Sequence, residues 1–247
     1  MHIANIKGET LCLLEINETE SSWVDLEYLK THPEIIKNAT CEICISTFNA
    51  STAYRAKDKK PVIFLDLDGV CVDFIGGVAK IVNIPRDEVY DSPIWEEPDS
   101  YNRVGEVLNI TETQLWNLVS AKGLSFWSNL EKYPWFNLLY EGLNDMGDVV
   151  FLSSPTLDPF CLAGKLRWLH GELGKNFRNY IFTPLKSMMK FDNAILIDDK
   201  EETIKKVGVE HGVLFPQPWN SNRDKLPFDV EDFLNFVENK LKHNKGE

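Results

Sequence analysis

Apolar and polar residues follow two different rhythms along this chain, and the rhythm changes near Pro61. From there onward, short unbroken runs of Val, Ile, Leu and Phe recur between longer stretches with helical spacing: VIFLDLDG (62–69), DVVFLSSP (148–155), NYIFT (179–183), AILIDD (194–199) and GVLF (212–215). Near-continuous apolar runs bounded by polar residues predict strands covered on both faces. WFNLLYEGLNDMG precedes the second run, CLAGKLRWLHGELG follows it, and KEETIKKVGVE follows the fourth; all three predict helices. The closing stretch DVEDFLNFVENKLK places Val230, Phe233, Leu234, Phe236, Val237 and Leu241 on one predicted apolar helix face. Strand–helix alternation of this kind predicts an open, mainly parallel α/β sheet.

Two segments break the pattern. Residues 75–138, between the first and second predicted strands, are far more than one crossover helix needs. They hold the helical patterns GGVAKIVNI and TETQLWNLVSA, and the tryptophans Trp95, Trp116, Trp127 and Trp135. This segment is expected to be an inserted helical cap, with residues 59–74 and 139–247 as the core. Ligands of open α/β sheets bind beyond the carboxyl ends of the strands, so an insertion leaving strand one stands over that edge. Residues 1–58 are expected to form a small N-terminal α+β extension. HIANIKG, TLCLLEI and CEICISTF read as short strands, SSWVDLEYLKTHPEIIKNA holds a predicted helix starting near Ser22, and the polar NASTAYRAKDKK is a linker.

A net charge of −12 over 247 residues argues against a nucleic-acid polymer as partner, because phosphate-backbone binding needs a Lys/Arg footprint. It leaves room for a small phosphorylated ligand held by one or two lysines and a metal. No apolar run is long enough for a membrane span, and the first twenty residues lack the signature of a secretory signal. The five cysteines are scattered; Cys41 and Cys44 form one CxxC inside an alternating run, which reads as part of a strand rather than as half of a zinc site. The expected compartment is reducing and cytoplasmic, and a homodimer remains open.

The chemistry gathers at the ends of the predicted strands. Strand one ends with Asp66 and Asp68, strand two with Ser153 and Ser154, strand three runs into Lys186, and strand four ends with Asp198 and Asp199. If the strands are parallel neighbours, these residues meet at one sheet edge. Four carboxylates in one cleft need positive charge. A hard divalent cation, Mg²⁺, taking oxygen ligands and a substrate phosphate, supplies it, with Lys186 beside it. A serine hydroxyl can donate to a phosphate oxygen. Of the two aspartates at the first strand, one can attack phosphorus while the other protonates the leaving oxygen and later deprotonates water. Singly, each motif has a structural reading: DxDG as a turn, DD as a helix N-cap, SSP as a strand-to-helix turn.

Together and in order, DLDGV, Ser153, Lys186 and DD resemble the four motifs of the haloacid dehalogenase-like phosphohydrolase superfamily, whose core is Rossmann-like. DLDGVCVDFIGG, VFLSSP, GKLRWLHGELG, TPLKS and LIDDK are similar to the corresponding stretches of the 5′(3′)-deoxyribonucleotidase family, over about residues 61–215. The resemblance implies a phosphatase acting on nucleoside monophosphates, with Asp66 as nucleophile and Asp68 as general acid and base. It implies Mg²⁺ held by the Asp66 carboxylate, the Asp68 carbonyl and Asp199, with Asp198 beside them. Ser153, where the family has threonine, and Lys186 would hold the phosphoryl group, and Lys165 would reach the phosphate. Phe74 matches a family aromatic that packs on the nucleotide; Trp116, Phe126 and Trp127 are the cap aromatics that would shape a base pocket.

Overall fold

The computed structural model describes residues 2–3, 23–24, 60–97 and 100–244. The chain divides into two compact units, residues 1–59 and 60–247. In the first, His2–Ile3 pairs in parallel with Trp23–Val24. Trp23 and Val24 are therefore extended where a helix is expected; an aromatic beside a β-branched residue suits a strand as readily as a helix start. The rest of the expected extension, including Cys41 and Cys44, lies outside the described residues.

The second unit is built on five parallel strands: β1 (Val62–Leu65), β2 (Asp148–Ser153), β3 (Tyr180–Phe182), β4 (Ala194–Asp198) and β5 (Gly212–Leu214). Their spatial order is β3-β2-β1-β4-β5. β1 is central: Val62 to Leu65 sit opposite Asp148 to Phe151 on one side and Ala194 to Ile197 on the other. The strand order reverses direction at β1, and in open α/β sheets that switch point is where the ligand crevice opens.

The apolar runs have the composition they do because both faces are covered. Ile63, Leu65, Ile195 and Ile197 enter one hydrophobic cluster, while Phe64, Leu196 and Leu152 enter the other. Successive residues of a strand point to opposite faces, so a run buried on both sides must be apolar throughout. The first face packs against α6 (Phe136–Met146), α7 (Pro159–Leu173) and α9 (Val230–Asn244) through residues such as Leu139, Trp168 and Val237. The second packs against α8 (Glu201–Val207) through Ile204 and Val207.

Between β1 and α6 lie α1 (Phe74–Val82), α2 (Arg86–Tyr90), α3 (Val104–Val107), α4 (Glu112–Lys122) and α5 (Leu124–Ser128), with two 3₁₀ turns at Pro93–Glu96 and Ser100–Arg103. The α1 N-terminus is capped by Asp73, whose side chain also accepts from Arg86 Nε at 2.7 Å and Tyr90 Oη at 2.6 Å. One buried carboxylate thus ties the first two helices together as they leave the sheet. α4 opens on a Thr111–Gln114 capping box.

The closing helix differs from expectation at one position. Phe233, Val237 and Leu241 are buried, but Phe236 is 52% exposed. At 100° per residue the 233/237/241 stripe excludes position 236, which turns to solvent with Lys225 over its ring.

Candidate active site

The chain leaves β1 at Leu65 and turns sharply, so Asp66 and Asp68 lie beyond the ladder rather than in it. The turn is tight because Leu67 O accepts from the backbone N–H groups of Val70, Cys71 and Val72. Gly69 makes it feasible in two ways. Its φ of +76° is costly for any residue with a Cβ, and a Cβ there would sit 2.1 Å from Asp199 Oδ2. The β1 turn and the tip of β4 therefore touch, which brings Asp66, Asp198 and Asp199 within 4.8 Å of one another. All three are buried.

Lys186, from the turn after β3, bridges Asp66 Oδ2 at 2.6 Å and Asp198 Oδ2 at 2.7 Å. The backbone N–H groups of Leu67 and Lys200 take the other oxygens of Asp66 and Asp198, at 2.7 and 2.8 Å. Lys165 reaches in from α7, buried along its length, and donates to Asp68 Oδ2 at 2.6 Å, Ser153 Oγ at 2.8 Å and Ser154 O at 3.0 Å. Asp68 Oδ1 is buried with no hydrogen-bond partner among the described residues.

Four carboxylates thus face two ammonium groups, an excess of two negative charges at a buried edge. The electrostatic consequence shows in the carboxyls. Burial, then the charges of Asp198 and Asp68, push Asp66 up to about 7 against the pull of Lys186. Burial with Asp198 and Asp66 drives Asp199 well above the usual carboxylate range. Burial works against the charge on Lys186, but Asp198 and Asp66 outweigh it and raise its pKa. One divalent cation would cancel the excess and reverse the direction of both carboxyl shifts. The donor set is all oxygen, which suits a hard ion such as Mg²⁺. By chemistry, charge and proximity the site fits such a cation: Asp66 and Asp198 each carry a partner at both oxygens, and Asp199 is tied by its side chain at Oδ2 alone among the described contacts.

A cavity of about 420 Å³ opens over this edge. Asp66, Asp68, Ser154, Lys186 and Asp198 form its floor, and Phe74, Tyr101, Trp116 and Trp127 line it from the segment between β1 and α6. Phe74 stacks on Trp127 at 5.6 Å and 21°, with Trp116 at 6.1 Å. Phe126 meets Phe74 edge-on at 5.8 Å but is not among the lining residues. The expected site residues therefore meet at one edge, with two qualifications. Ser153 is fully buried, and its hydroxyl accepts from Lys165, while Ser154 lines the cavity floor. Lys165 touches Asp68 and Ser153 rather than open cavity.

Several contributors carry no sequence motif. Trp219 Nε1 donates to Asp199 Oδ2 at 2.7 Å, Asn220 Nδ2 to Asp199 O at 2.8 Å, and Gln217 Nε2 to Gly69 O at 2.5 Å. All belong to the loop after β5, and their nearness to a strand's carboxyl end is the signal that could have found them. Tyr101, with Lys200 Nζ 4.7 Å over its ring, forms another wall of the cavity.

Comparison with known proteins bears on this geometry. The family described as 5′ nucleotidase, deoxy (pyrimidine), cytosolic type C protein matches residues 60–227. No curated protein matches the chain. Among solved structures, the chain is similar to a protein described as a haloacid dehalogenase-like hydrolase from Burkholderia xenovorans LB400, at 16% identity and a TM-score of 0.43, covering 74% of this chain and 99% of that one.

Proposed function

This chain belongs to the 5′ nucleotidase, deoxy (pyrimidine), cytosolic type C family, and from that premise we propose that it removes phosphate from nucleoside monophosphates, deoxyribonucleotides in particular. The family is described as cytosolic, which supports a cytoplasmic setting for the reaction. The observation that carries the chemistry is the meeting of Asp66, Asp198 and Asp199 with Lys186 at the switch point of a parallel sheet, under an aromatic wall.

In this reading a nucleotide enters with its phosphate toward the β1 and β4 tips. The carboxylate of Asp66 attacks phosphorus in line. The bond to the ester oxygen breaks, its electron pair stays on the sugar oxygen, and a proton that Asp68 has taken from the incoming phosphate monoanion passes to that oxygen. Asp68, now ionised, takes a proton from water. The resulting hydroxide attacks phosphorus, and the bond to Asp66 breaks to return the free carboxylate. Asp68 lines the cavity beside Asp66, which suits it to the proton-transfer role. Lys165 fixes the same carboxylate through Oδ2 and sets its orientation. Lys186 offsets phosphoryl charge, and Ser153, buried behind the cavity, accepts from Lys165 and so helps to hold the ammonium that orients Asp68. Mg²⁺, held by Asp66 and Asp199, would supply further charge neutralisation for the phosphoryl group.

Residues 75–138 act as a cap in this proposal. Phe74 and Trp116, backed by the buried Trp127, line the cavity with aromatic surface suited to a nucleobase, which favours nucleotides over bare sugar phosphates. The test is phosphate release from a panel of deoxyribonucleotides, ribonucleotides and sugar phosphates, with Mg²⁺ and with chelator. Turnover of nucleotides that vanishes in Asp66→Asn is expected; equal kcat/KM for sugar phosphates would overturn the substrate assignment.

A further inference from the structure

The loop after β5 does more than close the fold. Trp219 is 4% exposed, and its indole N–H is spent on a single acceptor, Asp199 Oδ2. Asp199 is the carboxylate with fewest other ties: its neighbour Asp198 is held at both oxygens, and Asp66 is held by Leu67 N and Lys186. The indole therefore fixes the rotation of the Asp199 carboxylate and directs its second oxygen.

Trp219 is itself held from the segment between β1 and α6. Its ring packs on Tyr90 at 5.9 Å and Trp95 at 5.6 Å, and Ser100 Oγ donates to its carbonyl at 3.2 Å. Asn220 secures the same loop by donating to Asp199 O and Phe215 O, both at 2.8 Å. A neutral donor to an anionic oxygen in a dry site is strong and directional. Nothing in a merely packed aromatic requires its N–H to end on the one loosely held carboxylate.

We propose that Trp219 is a positioning residue for Asp199, setting that carboxylate for a divalent cation from a seat provided by Tyr90, Trp95 and Ser100. This rests on the cation reading of the carboxylate cluster. Groups that orient metal ligands in this way are typically worth 10–100-fold in metal affinity.

The experiment is calorimetric titration of the full-length protein, stripped of metal, with Mg²⁺ alone, comparing wild type with Trp219→Phe. Phenylalanine keeps an aromatic ring against Tyr90 and Trp95 and deletes the donor. The expected result is roughly 10–100-fold weaker Mg²⁺ binding. The Mg²⁺ concentration for half-maximal nucleotide hydrolysis should rise in parallel, with KM for nucleotide at saturating Mg²⁺ little changed. A folded Trp219→Phe protein that binds Mg²⁺ as tightly as wild type would overturn the assignment and leave the cation reading intact. Wild type that binds no Mg²⁺ would overturn both. Should Trp219→Phe not fold, the assigned indole ¹⁵N–¹H resonance of Trp219 in wild type serves instead: a shift on adding Mg²⁺ supports the role, and an unmoved resonance overturns it.

Discussion

Replacing Asp66 by Asn should make the metal-free protein more stable relative to wild type as pH rises, and the size of the effect follows from the site. Folding raises the Asp66 pKa from an ordinary 3.8 to about 7, through burial and the charges of Asp198 and Asp68. A carboxyl with a raised folded pKa holds its proton more tightly in the folded state. Its stabilising contribution is complete below the unfolded value and is lost as pH climbs from there to the folded value. At about 1.4 kcal/mol per pKa unit, the loss between pH 4 and pH 7 is on the order of 4 kcal/mol, shared with Asp199, whose charge is coupled to the same cluster. Asn carries no such contribution and relieves Asp199 of one negative neighbour. For a protein of this size that corresponds to roughly 10 °C in Tm accumulating over three pH units. The lost ion pair with Lys186 shifts the Asn curve by an offset, so the divergence of the two curves is the measurement, not their absolute order. Thermal unfolding in chelator from pH 4 to 8, wild type against Asp66→Asn, reads it directly. Saturating Mg²⁺ should abolish the divergence. Parallel curves in chelator would refute the picture of uncompensated carboxylates at this edge.

Two further outcomes follow from close contacts. Gly69→Ala places a Cβ at φ +76° and 2.1 Å from Asp199 Oδ2; it should lose Mg²⁺ binding in calorimetry and at least about 1–2 kcal/mol of stability in denaturant titration from the backbone alone. Lys165→Met keeps side-chain length but removes the donor to Asp68, Ser153 and Ser154; kcat should fall by roughly 100-fold or more while nucleotide KM changes less, and a kcat within about threefold of wild type would show that Asp68 needs no such tether.

The sheet was legible because two-sided burial forces unbroken apolar runs, and each of the five runs in the second unit became a parallel strand. The reacting groups were legible for a related reason: Asp66 follows β1 directly, Asp198 ends β4 with Asp199 next, and Lys186 lies in the turn after β3, so chain position carries them to one edge. What escaped notice obeys no periodicity. Trp219, Gln217 and Asn220 sit in a loop where Pro, amides and an indole look like ordinary turn residues, and their roles depend on which backbone atoms fold back against them. Phe236 is apolar yet exposed, because its angle on the helix, and not its hydrophobicity, decides which side it faces. Ser153 matched by order along the chain, but whether its hydroxyl or that of Ser154 faces the cavity is set by how Lys165 threads under β2, which spacing does not encode.

The aromatic wall and the charged floor of the cavity hang from different parts of the chain. Phe74, Tyr101, Trp116 and Trp127 belong to the stretch after β1, whereas Asp66 and Asp198 are anchored to the tips of β1 and β4, each held on both sides by the sheet, and Lys186 is clamped between them from the turn after the edge strand β3. Substitutions at Phe74 and Trp116 can therefore accumulate without disturbing the carboxylate–lysine arrangement below, whereas Trp127 is buried with the Lys165 ammonium over its ring and Tyr101 carries Lys200. Such a division makes the protein an apt starting point for retargeting: libraries confined to Phe74 and Trp116 should yield altered substrate ranges at undiminished chemical competence, while the same mutational load on the floor should yield mostly inert proteins.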